Sequence, residues 1–324
     1  MQASLYSLLV KREYAHEDVI YCCAWTRIKL SENPSDPPRE IIVTGGALGE
    51  IKVWEWECSK LKFQDTLQEH TMAITSLSFS NDGKTLVSTA MDFKLIIWDI
   101  LAGQSVHTIP APQVWRATFA PDGAHIVAGC HTGDLVVYNV VKGSVLNVMD
   151  TREQFAIAVA WAANEKLIAC GSTTGAVCVL DSDHGKVIHT FKDHKDSVKD
   201  ITFSPNSKLL LTGSSDLTVK LYDVVSGALL HSLVQTSGVL AVSFCPDGKR
   251  VAVGTGDGEV VIALIDTPQG QKTPKIQVLK TFKEHYEMVW QVRFNPKGDL
   301  LMSVSKDRTI NIFEIPPIIT AKKP

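Results

Sequence analysis

Apolar residues in this chain come in short runs of about four to eight, rich in Val, Ile, Leu, Thr and Phe and broken by Asp, Asn, Gly, Pro and Ser. That pattern predicts strands joined by tight turns, and no stretch carries a sustained helical period. Five segments share one layout: "FSNDGKTLVS" (79–88), "FAPDGAHIVA" (119–128), "FSPNSKLLLT" (203–212), "FCPDGKRVAV" (244–253) and "FNPKGDLLMS" (294–303). Each reads as strand, turn, strand. Pro presets φ at the turn, and Gly tolerates the positive φ that follows.

A second segment recurs downstream of each turn. "GEIKVWEW", "KLIIWDI", "DLVVYNV", "AVCVLDS", "TVKLYDV", "EVVIALID" and "TINIFEI" place Trp54, Trp98, Tyr138, Leu180, Tyr222, Ala263 and Phe313 in one slot. Six residues before the slot lies a turn position: Leu48, Asp92, Thr132, Thr174, Asp216, Asp257 and Asp307. Successive slots are 44, 40, 42, 42, 41 and 50 residues apart. The chain is thus seven tiles, ending near residues 56, 100, 140, 182, 224, 266 and 315.

Short strands at this period with a Trp-Asp signature resemble the WD-repeat β-propellers across roughly residues 5–315. The resemblance implies an all-β, seven-bladed ring occupying 1–324 as one domain. No fourth strand follows Ile315 in the last tile. The segment "SLYSLLVKREY" (4–14) is therefore expected to supply that blade's outer strand and close the ring, with 316–324 a flexible tail.

His70, Ser88, Asp92 and Trp98 hold the residue types of a hydrolase triad. The same spacing recurs in degraded form as His194, Thr212, Asp216, Tyr222 and as His285, Ser303, Asp307, Phe313. A catalytic site has no use for partial copies. The pattern instead reads as a hydrogen-bond chain inside a blade, complete only in the second tile. No catalytic residue, cofactor site or metal site is expected. "GTGDGE" (254–259) opens no helix, and "DSDHGK" (181–186) lacks the distal Glu of a calcium loop, so both read as turns.

The totals narrow the classes further. A formal charge of −3 over 324 residues argues against a nucleic-acid backbone binder. Seven cysteines without a C-x-x-C pair read as buried thiols, with vicinal Cys22 and Cys23 on opposite strand faces. No apolar run approaches the ~18 residues of a membrane span, so a soluble intracellular chain is expected.

A propeller without chemistry is a docking platform. Counting back four residues from the aromatic that closes each inner strand gives Tyr21, Thr75, Trp115, Ile157, Lys199, Leu240 and Trp290. These should ring the channel mouth. Burial against neighbouring blades is the plain explanation of their apolar character, and a contact patch is the sharper one. Glu17, Asp18 and Asp196 fall in nearby loops and suit a basic side chain. The expected ligand is a short peptide with one basic and one apolar anchor.

"AHEDVIYCCAW", "DTREQFAIAVAW", "SGVLAVSFCPD" and "MVWQVRFNPKGDLLMSVSKDRTINIFEI" resemble the WD-repeat subunits of superkiller complexes. That resemblance implies a tetratricopeptide scaffold and an RNA helicase as partners, a role in 3′-to-5′ mRNA decay by the exosome, and no direct contact with nucleic acid or membrane. It also implies a cytoplasmic and nuclear location, the latter with the polymerase-associated factor complex. Other adaptors, such as a histone-tail reader or a ubiquitin-ligase substrate receptor, stay open. The segments 27–40 and 266–280 depart from that subgroup and are expected to be surface loops.

Overall fold

The computed structural model describes residues 5–29, 37–112, 114–153, 155–164, 166–267 and 273–318. Seven four-stranded antiparallel sheets follow one another around a channel. Blade 1 comprises strands Ile20–Ile28, Arg39–Gly46, Ile51–Glu57 and Lys60–Leu67, from the channel outwards. Blades 2 to 6 repeat that order, with inner strands Ile74–Phe79, Val114–Phe119, Ala156–Trp161, Val198–Phe203 and Val239–Phe244.

The seventh blade takes three strands from the chain's last stretch: Val289–Phe294, Leu300–Ser305 and Ile310–Glu314. Its outer strand is Ser7–Arg12, paired antiparallel with Ile310–Glu314 from Ser7 opposite Glu314 to Arg12 opposite Ile310. The ring is therefore zipped by the two ends of the described chain. Residue 4 of the expected closing strand and residues 319–324 of the expected tail lie outside the described residues.

Burial explains why these sequences make blades. The second strand of each blade is covered on both faces; Leu300–Ser305 and Leu209–Ser214 are typical, buried from their second residue on. Such strands read as continuous apolar runs. The outer strands are half wet: Gln104–Pro110 alternates exposed and half-buried positions along its length. Close approach between blades has its own requirement. A Cβ on Gly213 would sit 2.5 Å from Val239 of the next blade, so only glycine lets that inner strand come so near.

The structure corrects one loop assignment. Within 266–280, residues 275–280 belong to the outer strand of blade 6, Lys275–Phe282, where Ile276 is buried. The segment is long because that hairpin is long; 268–272, at its tip, lie outside the described residues. Likewise Arg27, Ile28, Arg39 and Glu40 extend the first two strands of blade 1, and 30–36 lie outside the described residues.

Candidate functional site

The polar chain of blade 2 forms as its residue types require. His70 Nδ1–H donates to Asp92 at 3.0 Å, the Ser88 hydroxyl lies 2.7 Å from Nε2, and Trp98 Nε1–H donates to Ser88 at 2.8 Å. The carboxylate can only accept, so it sets the tautomer and leaves Nε2 to accept from the hydroxyl. The His70 side chain is fully buried, out of reach of any substrate. Burial pushes its pKa down, against the hydrogen bond that it donates to Asp92. Blades 5 and 7 repeat the His–carboxylate and His–hydroxyl contacts at 2.9 and 2.7 Å. In blade 5, burial tends to raise Asp216, but hydrogen bonds from Thr218, the Lys195 N–H and His194 prevail and bring it to about 2.

One expectation is overturned. Blade 2 does not hold the sole complete chain, because blade 1 has its own. His16 lies 2.7 Å from Glu50 and 2.7 Å from Thr44, and Trp54 donates to Thr44 at 2.9 Å. Glutamate, two residues past the usual turn position, reaches the histidine with its longer side chain. The lengthened first hairpin hides this by separating His16 from its Trp. The visible signal was a His four residues before an inner strand that begins with Ile or Val, shared by "HEDVI", "HTMAI", "HKDSV" and "HYEMV".

The channel mouth is built by a backbone device. In all seven inner strands the ladder to the second strand slips by one residue near its start, between Ile20 and Cys22, Ile74 and Ser76, Val114 and Arg116, and so on around the ring. The extra residue in each β-bulge is Tyr21, Thr75, Trp115, Ile157, Lys199, Leu240 or Trp290. A bulge re-aims the side chain it carries, and here all seven line one cavity of 420 Å³.

Tyr21 and Trp290 meet edge to face at 5.3 Å, and Trp115 meets Phe155 at 6.0 Å. Ile157, at 7% exposed, forms part of the cavity wall. Glu17, Asp18 and Asp196 are exposed in the surrounding loops and do not line the cavity.

Several cavity residues escaped the sequence reading. Phe155 holds a left-handed backbone, φ 52°, which is costly for a bulky side chain and is held against Trp115 and His131. Ile74, Met91, Arg116 and Thr173 complete the lining. Below the bulges, Arg116 of blade 3 and Arg293 of blade 7 both reach Asp200 of blade 5, at 2.7 and 3.3 Å. Asp200 also accepts the Val242 N–H of blade 6 at 3.1 Å, so this bridge ties blades across the channel.

Comparison with known proteins now decides the family. Residues 113–316 match the family model described as the IFT122 first beta-propeller, and residues 61–99 match that of the WD domain, G-beta repeat. The chain belongs to the WD-repeat β-propellers. Among curated relatives, WD repeat-containing protein SL1-17 of Schistosoma mansoni is 28% identical over 168 residues, 51% of this chain and 54% of the relative. WD repeat-containing protein VIP3 of Arabidopsis thaliana is 27% identical over 175 residues, 49% and 52% of the two chains. Guanine nucleotide-binding protein subunit beta-1 of Drosophila melanogaster is 33% identical over 96 residues, 29% and 28%. The alignments span about half the length of the first two. A WD-repeat propeller is generally a non-catalytic scaffold for other proteins, and its buried His–Ser chains fit that role.

Proposed function

We propose that this WD-repeat propeller is a docking platform whose bulge-built mouth receives a short peptide. The observation that carries the reading is the convergence of the half-buried Tyr21, Trp115, Leu240 and Trp290 on one cavity, since Trp and Tyr at a concave surface are typical binding hot spots. The apolar anchor of the peptide enters that cavity. Its basic anchor pairs with Glu17 and Asp18 or with Asp196, whose carboxylates face solvent. Lys199 and Arg116 inside the cavity disfavour the opposite arrangement, with the cation at the centre.

The assembly proposed for the platform is of the superkiller type. The segments quoted above support it, with a tetratricopeptide scaffold and an RNA helicase as partners and 3′-to-5′ mRNA decay as the process. The same propeller would serve in cytoplasm and nucleus, in the latter beside the polymerase-associated factor complex.

The test is recovery of the tagged protein from its own cells beside a Trp115→Ala, Trp290→Ala variant shown to be folded by its melting curve. A tetratricopeptide protein and an RNA helicase held by wild type and lost from the variant support both parts. Other partners lost from the variant would keep the docking mouth and overturn the decay assignment. Partners held equally by both would overturn the mouth.

A further inference from the structure

The opposite end of the channel is a second opening with different chemistry. Its cavity of 540 Å³ lies where the inner strands end, walled by aromatics such as Phe119, Phe203 and Phe244. Just inside them comes a belt of hydroxyls, Ser78, Thr118, Thr202 and Ser243, and Arg293. Among the described residues no carboxylate lines this cavity, and Arg293 is the single ionised side chain in its wall.

The charge balance there is incomplete. Arg116 and Arg293 share one carboxylate, Asp200, which is almost fully buried, so the bridge across the channel carries one net positive charge. Arg116 faces the first mouth, whereas the Arg293 side chain is 30% exposed and borders the second. Nη1 of Arg293 is engaged by Asp200, Val242 O and Val292 O. The guanidinium fork has further donors, and the cavity that it borders is also lined by hydroxyls, which can donate as well as accept.

Around this opening the turns after the inner strands carry exposed lysines: Lys84, Lys166, Lys208, Lys249 and Lys297. Lys297 pairs with Glu40 at 2.9 Å, and no ion pair engages the other four among the described residues. The carboxylates of Asp82 and Asp247 in these turns accept N–H groups of their own turns, so they are turned towards backbone rather than the opening.

We propose that this second mouth docks an acidic peptide segment of a partner protein. One carboxylate reaches Arg293 through the hydroxyl belt, apolar side chains rest on the aromatic wall, and flanking acids meet the rim lysines. Two features favour a peptide over a small polyphosphate. The lysines are spread over five blades, beyond the span of one compact ligand, and five aromatic side chains (Phe79, Phe119, Trp161, Phe203 and Phe244) line the cavity wall.

The test is fluorescence anisotropy with a short labelled peptide in which Glu alternates with Leu, titrated with the full chain. Arg293→Gln is expected to weaken binding about tenfold or more, as for loss of one partner of a desolvated charge pair. Lys84→Glu, Lys208→Glu, Lys249→Glu together, all on exposed turns that tolerate change, should weaken it several-fold and flatten its salt dependence. Trp115→Ala, Trp290→Ala should leave it unchanged, which separates this site from the first mouth. The proposal is overturned by absence of binding to wild type, by equal binding to the Arg293 and lysine variants, or by loss in the tryptophan variant. Full displacement by inorganic tripolyphosphate at equal concentration would replace the peptide with a small polyanion.

Discussion

Blades 2 and 6 have the same fold but different interiors. In blade 2 a chain from Asp92 through His70 and Ser88 to Trp98 runs through the sheet. In blade 6 the slot holds Ala263, Val253 stands where the serine would be, and Val242, Val251 and Ile276 fill the space. Asp257 of blade 6 still sits in the turn, but it bonds Thr255 and Thr236 at its own surface. The blade itself therefore comes from strand pattern and turn chemistry. The polar chain is a local option: blades 1 and 2 carry it whole, whereas blades 5 and 7 keep the histidine, hydroxyl and carboxylate without the indole N–H.

The comparison breaks first if the ring does not depend on its seam. Removal of residues 1–12 strips the outer strand from blade 7 and exposes the edge of Ile310–Glu314. Thermal melting should fall by several degrees or the protein should lose solubility, and an unchanged curve would mean the seam carries no load. Next in size, Trp98→Ala should cost roughly 3–5 kcal/mol in urea unfolding, as for a large buried aromatic, with Trp54→Ala alike.

A smaller effect sharpens the contrast. Ser88→Ala leaves two buried partners, a ring nitrogen and an indole N–H, unmet and should cost about 1–3 kcal/mol. Asp257→Ala, at an exposed turn in blade 6, should cost under about 1 kcal/mol. Equal losses would show that the chain has no special standing.

Acid provides the mildest probe. Burial lowers His16, His70 and His194, so the unfolded chain binds protons more readily than the folded one as pH falls through the ordinary histidine range. Their contribution is fully present above that range and is lost below it. Glu50, Asp216 and Asp307 are also lowered: burial tends to raise each of them, and hydrogen bonds outweigh it. Their contribution is lost at still lower pH. Melting temperature should decline in two stages on acidification, and a variant with Ser88→Ala and Thr212→Val should show a shallower first stage.

The blade count, the ring seam and the seven mouth positions were legible because each repeats in register with a fixed local spacing. Three features were not. The blade 1 chain was hidden because the first hairpin is long and a glutamate replaces the aspartate from a different turn position. The Arg116–Asp200–Arg293 bridge joins residues from three separate tiles, and no local pattern marks a contact made across a closed ring. Residues 275–280 read as loop because an outer strand with one wet face alternates too weakly to stand out. The vicinal cysteines did read correctly from alternation alone: Cys22 packs with Ile74 of blade 2, and Cys23 with Met302 of blade 7.

The repeated bulge has an evolutionary consequence. An ordinary strand residue is committed to its ladder partner and its face, so changing it disturbs the sheet. Each of the seven bulged residues is surplus to the ladder, its backbone already diverted and its side chain already aimed at the mouth. Tyrosine, threonine, tryptophan, isoleucine, lysine and leucine all occupy the same address here without altering the blade behind them. A propeller of this kind can therefore change what it recognises one blade at a time while the ring beneath stays the same.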